Sequence, residues 1–600
     1  MTAHASPYTT REAGDSLLQS PVALALLALV LSTARFWPSI ASVWATGAFD
    51  VPADAMRMVE VRDLLNGQAW FDLHQYRLDP PAGVDMHWTR VLDVPLALLI
   101  KSFSLFLPAV EAERLTRIVF PLALLFGFYT AVINTARRLA GPAAMLPAAM
   151  IAVLSSAIVF QFEPGRIHHH GVQILLIVLI VRATIEAVAT KTFVPAALSA
   201  ALAALSLSIN VENITYVVIE IGVFALAFII EGESFAATLT GFAGALIVSS
   251  LLLFIATTGP SHYFLGACDA FSTPHLLTIF VGAAALVVMA ASVKWLKTWP
   301  LRVAASGLGG AIVICALALF YPVCLGDPLV RVDPLLRQYW LNHAAESRPL
   351  GALISSNPSD FLYFVMASVL GVVAALVAAW RTRGETRGVW LIVVAFAAMG
   401  FITALWQLRA LPSASSVALL GGAWFSAQVV TWTERRTSLV DKPAIILAVL
   451  PFCSAFWGIL ETLATPDTPA VANAGSCRSQ ATIQTLNKLP KSLIMAGIDM
   501  GAEILAGTDH SVLAAPYHRN NHGNGVLVRA MLARPDEART MVEASGAAYF
   551  VFCPVLPEFE GYAAGNRDGL AAMMLAGRAP DWLNPMTIAA DGPLQVYKIR

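Results

Sequence analysis

Charge is scarce in this 600-residue sequence: only 13% of residues are Asp, Glu, Lys or Arg, about half the usual quarter of a soluble globular chain. The formal net charge of -1 leaves no basic excess, which argues against a nucleic-acid partner, since phosphate backbones select strongly basic faces. No Gly-rich phosphate loop of the nucleotide-binding kind occurs, so a nucleotide fold is not expected. Six cysteines in the whole chain exclude a disulfide-dense scaffold. The first 20 residues have one Arg, two acids and no apolar core. They read as a short cytoplasmic tail rather than a cleavable signal.

What is abundant is apolar: 57% hydrophobic residues and a mean hydropathy of +0.69. Windows near the ~20 residues that cross a bilayer fall at about 21–46, 93–110, 115–136, 142–161, 171–190, 193–210, 213–231, 236–257, 276–296, 302–322, 359–380, 388–407, 411–431 and 443–463. Short cytoplasmic loops collect Lys and Arg. The pairs and triplets Arg137/Arg138, Arg182/Lys191, Lys294/Lys297/Arg302, Arg381/Arg383/Arg387 and Arg435/Arg436/Lys442 share one side only if one early window does not cross. The window 93–110 contains Lys101 and Pro108 and starts beside Asp93 and Pro95, so it is expected to lie in the interface. The fold class is therefore an α-helical polytopic membrane protein of about thirteen transmembrane helices. Segments 47–114, 162–170, 258–275, 323–358 and 464–600 face outward, and a bacterial inner (plasma) membrane is the expected setting.

From 464 the pattern changes to short apolar strands near 492–496, 512–515, 548–552 and 594–597, with helical spacing at 525–532 and 535–544. This predicts a C-terminal extracytoplasmic α/β domain over 464–600, after a transmembrane domain over 1–463. Cys268, Cys324, Cys477 and Cys553 fall on the outer side and Cys315 and Cys453 within spans. An oxidising compartment permits a Cys477 to Cys553 bond, though spacing leaves the pairing open.

The outer segments hold the candidate chemistry. Arg166-Ile167-His168-His169-His170-Gly171 puts three imidazoles in succession at the membrane surface, and imidazole both ligates metals and titrates near neutrality. Asp54 follows the first span at the start of a helical run. Glu346 lies in the 323–358 loop and has Arg348 as an alternative partner, while Arg409 sits at the outer end of an apolar run, where it either snorkels or holds an anion. Asn210 and Glu212 separate two adjacent apolar runs.

In this order the motifs resemble the catalytic subunit of oligosaccharyltransferase, a membrane glycosyltransferase family of GT-C architecture. Asp54 resembles the family's first metal-binding aspartate, and 165–173 its second acidic motif, in the form with two histidines. Ala344-Ala345-Glu346 resembles the outer-loop motif ending in a functional glutamate, Arg409 the arginine that contacts the donor phosphate, and Asp499-Met500-Gly501 the end of the Trp-Trp-Asp-Tyr-Gly signature. The resemblance implies transfer of a sugar from a polyprenyl-phosphate-linked donor to a glycan, lipid or protein acceptor. It implies a divalent cation held by Asp54, His168, His170 and Glu346, with Asp54 and Glu346 catalytic and Asp499 and Gly501 on the acceptor side. His169 is expected to point away from its two neighbours. Two positions depart from the family pattern. His168 replaces an aspartate, which favours an ion softer than the family's Mn²⁺ or Mg²⁺. Gly497 and Ile498 replace the tryptophans that help hold a sequon Ser or Thr.

Other readings are a noncatalytic glycan-binding or assembly homologue and a secondary transporter, which would show paired repeats and midplane charges; no matching halves are visible. The topology makes a direct expectation: single cysteines at 54, 169, 345 and in the tail label from the outer side. Labelling of 345 from the inside alone contradicts a common site.

Overall fold

The computed structural model describes residues 20–327, 329–356, 358–435, 443–464, 477–588 and 592–600. The expected amino-terminal tail, Arg436, Lys442 and the start of the 464–600 domain lie outside these residues. Among the described residues nine helices are long and apolar enough to cross a membrane, or twelve if each of three bent pairs is one crossing. The bends, of 61°, 67° and 83°, fall at Phe36, Ser155 and Cys453. Phe193–Ile209 is a shorter apolar helix of 17 residues.

The window 93–110 forms an 11-residue helix, Asp93–Phe103, about 16 Å long at 1.5 Å per residue against a ~30 Å hydrocarbon core. The turn that follows it is greasy, with Leu105 and Phe106 82% and 71% exposed. The start of the helix is polar, with Asp93 buried between Arg57 (2.8 Å) and Arg90 (3.0 Å). Such a helix suits an interface better than a crossing.

The carboxy-terminal region forms a five-stranded sheet. With β1 (His74–Gln75) and β2 (Val84–Asp85) pairing in the first long loop, the sheet comprises β3 (Leu493–Ala496), β4 (Ser511–Val512), β5 (Tyr549–Phe552), β6 (Leu583–Met586) and β7 (Gln595–Ile599) in the order β4-β3-β5-β7-β6. β3 runs parallel to β4 and β5, while β7 is antiparallel to β5 and β6. β6 was not expected: Leu583, Asn584, Pro585 and Met586 lack the β-branched and aromatic residues that mark a strand. Edge strands tolerate proline. Cys477–Cys553 and Cys268–Cys324 are disulfide-bonded, leaving Cys315 and Cys453 free.

This sheet does not have a core of its own. One apolar cluster joins Met56, Val59 and Trp88 of the first long loop to Ile494, Leu527 and Phe550 beyond the membrane helices, whereas the bundle packs around a separate one. The loop also docks on the sheet through its backbone, with Asp79 N donating to Val512 O (2.8 Å) and Val512 N to Arg77 O (2.9 Å). The helix Pro52–Leu65 is consequently buried on every side from Asp54 to Val61. Asp54, Arg57 and Glu60 on that stretch have no water to face.

Candidate functional site

The site is assembled from places where helices start or break at one end of the bundle. Pro52, suited to a first helical turn, begins Pro52–Leu65 and sets Asp54 in that turn. Asp54, 1% exposed, turns its Oδ1 to the imidazole triplet. That oxygen accepts from Ile167 N (2.7 Å) and His168 N (2.9 Å) and lies 2.6 Å from His168 Nδ1. Gly165 makes this approach possible through a left-handed turn (φ +104°) that residues with a Cβ rarely adopt. Burial opposes ionisation of Asp54, yet the His168 charge and hydrogen bond, Arg166 and the Ile167 amide outweigh it and hold the carboxyl at about 2.

Asp54 thereby fixes the His168 ring, and that ring stacks edge-on against His170 at 4.7 Å. His169 contradicts expectation. Its backbone is already right-handed helical (φ -72°, ψ -19°), so successive side chains turn by about 100° rather than alternate. His169 and His170 rings lie 4.5 Å apart, and both reach Glu212 Oε1, with Nε2 at 3.1 Å and 3.8 Å respectively.

Glu212 is the carboxylate that sequence reasoning assigned no role in the site. It sits in the single-turn break Val211–Asn213 between two apolar helices, where Asn210 accepts from Glu212 N (3.0 Å) and lies 2.9 Å from His169 Nε2 through its amide nitrogen. A second break, Leu408–Ala410, delivers Arg409. Its Nη1 is 3.1 Å from Glu212 Oε1 and its Nε donates to Gln407 Oε1 (2.8 Å). The signal for Glu212 was present as an acid at a helix break on the same side as the histidines. Its two-residue loop was too short to stand out.

Of the expected set, Asp54, His168, His170 and Arg409 come together. Glu346 does not join them: it is exposed, and among the described residues it makes no hydrogen bond or ion pair. It is nearby, because Ala345–Ser347 packs on Leu408–Ala410 and Leu408 N donates to Arg348 O (2.9 Å). Asp499 and Gly501 lie after β3, where Gly501–Gly507 packs on Pro52–Leu65. Among the described residues no hydrogen bond or ion pair links them to Asp54 or the imidazoles. Gly501 has a packing role, since a Cβ there would sit 1.9 Å from Ala514 O. Gly497 leaves room for Glu558, whose Oε1 would lie 2.2 Å from an added Cβ. Burial and the Asp499 charge raise the Glu558 carboxyl to about 8, against hydrogen bonds from the Ile498 amide and Tyr562.

Ligand atoms of His169, His170 and Glu212 all lie within 4.8 Å of one another. Two imidazoles and a carboxylate suit a zinc-like ion better than Mg²⁺, which prefers oxygen. Asp54, its Oδ1 already committed to three contacts, orients His168 as carboxylates orient metal-binding histidines.

The Asp54 contacts make an acid-stability expectation. A carboxyl lowered from 3.8 to about 2 contributes about 2 kcal/mol, present above pH ~4 and lost as pH falls through ~2. Asp54→Asn should lower the thermal unfolding midpoint of the purified protein at pH 7, and the difference should shrink as the pH approaches 2. A pH-independent difference contradicts the ion pair.

No protein-family model matches the sequence, and neither does any curated protein sequence. Solved structures do match. The archaeal oligosaccharyltransferase AglB from Archaeoglobus fulgidus, in complex with an inhibitory peptide and a dolichol-phosphate, is 13% identical, with a TM-score of 0.68 over 94% of this chain and 72% of that one. The Archaeoglobus fulgidus oligosaccharyltransferase tethered with an acceptor peptide containing the NVT sequon is 13% identical, with a TM-score of 0.69 over 97% and 74%. Its complex with Zn and sulfate is 13% identical, with a TM-score of 0.65 over 96% and 73%. The likeness is one of fold, and at that level the expectation holds: this chain folds as the archaeal oligosaccharyltransferase does, as a polytopic helical bundle with a sheet-containing carboxy-terminal region.

Proposed function

We propose that the protein is a membrane glycosyltransferase that moves a sugar from a polyprenyl-phosphate-linked donor to an acceptor outside the cytoplasm. The observation that carries this reading is the convergence, on one Glu212 oxygen, of two histidines and Arg409, beside an imidazole anchored by Asp54. A neighbour of the same fold is bound to a dolichol-phosphate and another to an acceptor peptide, which supports a lipid-phosphate donor.

His169, His170 and Glu212 would hold the divalent ion, with His168 alongside. Bound there, the ion supplies positive charge against the charge that grows on the departing phosphate. Arg409 binds the same phosphate through guanidinium N–H groups not used by Glu212 and Gln407, as its planar fork suits. The acceptor oxygen or nitrogen bonds to the anomeric carbon as the carbon–oxygen bond to phosphate breaks. The bond pair leaves with the polyprenyl phosphate, and the acceptor's proton can end on that phosphate, whose second pKa is near 6. Asp54 acts by positioning, because a carboxyl held at about 2 is a weak base. Glu346, on the turn latched to Arg409, is left as a donor- or acceptor-binding carboxylate rather than an ion ligand.

Turnover of a polyprenyl-phosphate sugar by the purified protein tests this. Glu212→Ala and His170→Ala should lower kcat by about 10²-fold, as removal of a charge-stabilising group does, and His169→Ala should fall with them. Chelation should abolish activity and zinc or manganese restore it. Glu346→Ala should retain more activity than Glu212→Ala; the reverse order returns the ion to the Glu346 set expected from sequence.

Acceptor choice is a separate expectation. With Gly497 and Ile498 in place of the paired aromatics and Glu558 filling the space, an Asn-X-Ser/Thr peptide should remain unmodified when supplied with a donor that the protein turns over. Its glycosylation would show the aromatics to be dispensable.

A further inference from the structure

A second cluster of ligating side chains lies where the carboxy-terminal region meets the loops. His87 comes from the first long loop, Asp269 from the loop after the helix Glu233–Thr257, and His518 from the segment between β4 and the helix Asn521–Leu532. One ligand atom from each lies within 4.8 Å of the other two. His518 Nε2 is 2.6 Å from Asp269 Oδ2, and the His87 and His518 rings are 4.7 Å apart.

A salt bridge between Asp269 and His518 explains part of this geometry. It leaves His87 unexplained. The Nδ1 of His87 is buried, and among the described residues it has no hydrogen-bond partner, which is unfavourable for a buried polar group. Arg519 contributes too. Its Nε and Nη2 hold Asp269 Oδ2 and Oδ1 at 2.7 and 2.8 Å, which orients the carboxylate as outer-shell donors orient metal-binding acids.

We propose that His87, Asp269 and His518 form a second divalent-cation site, of zinc type, that fastens the carboxy-terminal region to the loops beside the first site. Two imidazoles, one carboxylate and a water complete a tetrahedral zinc shell. A cation takes the His518 nitrogen that faces Asp269 in its deprotonated form, so any proton held there leaves to solvent. The link bears on the first site through adjacent residues. Tyr517 donates to Pro52 O (2.9 Å), two residues before Asp54. Trp88 packs between Tyr517 and His169, at 5.7 and 6.0 Å. The Cys268–Cys324 bond ties the Asp269 loop to the loop that carries Glu346. A cation here would therefore hold in register the three segments that frame the transfer site.

The test is zinc content per chain, measured by mass spectrometry after equilibration and desalting of full-length protein. His169→Ala/His170→Ala removes the first site and should leave about one zinc per chain. Adding His87→Ala should remove it, lowering affinity by at least the ~10–100-fold typical of lost supporting ligands. The folded state is checked by elution and unfolding midpoint. Should the triple variant fail to fold, cobalt(II) titration of His169→Ala/His170→Ala replaces it, with visible bands of a four-coordinate histidine site expected. No zinc in a folded His169→Ala/His170→Ala protein, undiminished zinc after His87→Ala, or absent cobalt bands overturns the site. Failure of the first site alone would appear as equal zinc in the unmodified protein and His169→Ala/His170→Ala.

Discussion

Burial of the helix Pro52–Leu65 from Asp54 to Val61 constrains everything around it. The helix carries Asp54, Arg57 and Glu60 on a stretch that no water reaches. An isolated buried charge costs several kcal/mol, and removing one partner of a buried pair about 3–5 kcal/mol, so every one of these groups has to be answered by a neighbour. Arg57 is answered by Glu60 (3.0 Å), Asp93 (2.8 Å) and the face of Trp88 (4.7 Å). Glu60 is answered by Arg57, against which its burial raises the carboxyl. Asp54 is answered by the backbone and ring of His168. The partners come from the surface helix, the long loop and the imidazole segment, so one desolvated helix fixes the placement of all three.

The bundle supplies the other half of the site through its interruptions. An unbroken apolar helix offers no polar group to a ligand, and breaks are tolerated in such helices where neighbouring groups satisfy the freed backbone. Asn210 does this at one break by accepting from Glu212 N (3.0 Å), and Gln407 supports Arg409 at the other (2.8 Å). Each break thus carries both its own repair and a charged group aimed at the same point.

Composition and periodicity made the helical membrane architecture legible, because nearly every apolar window became a helix or a bent pair. The charge pattern singled out 93–110, and its polar start and exposed apolar tip agree. The strand at 549–552 was readable from an aromatic and β-branched run and that at 493–496 from a short apolar one, whereas β6 was not, being held by its pairing to β7 rather than by local preference. At the site, Asp54, the histidines and Arg409 stood out as polar groups in apolar surroundings. Glu212 and the direction of His169 did not, since both depend on how a chain turns within two or three residues. Glu346 was assigned by its motif, and motif order carries no information about which of two nearby carboxylates faces the imidazoles.

Under the proposed function, His168 in place of an aspartate would favour a softer ion, and Gly497 and Ile498 in place of an aromatic pair would disfavour a sequon. The proposed function thus combines a polyprenyl-phosphate-linked donor with an acceptor other than a sequon. Mass spectrometry of lipid-linked sugars in membranes with and without this chain examines that claim most directly. Loss of the protein should cause a polyprenyl-phosphate-linked sugar to accumulate while a surface glycan disappears, and Glu212→Ala should reproduce both changes. An unchanged lipid-linked pool in the absence of the protein would contradict the account.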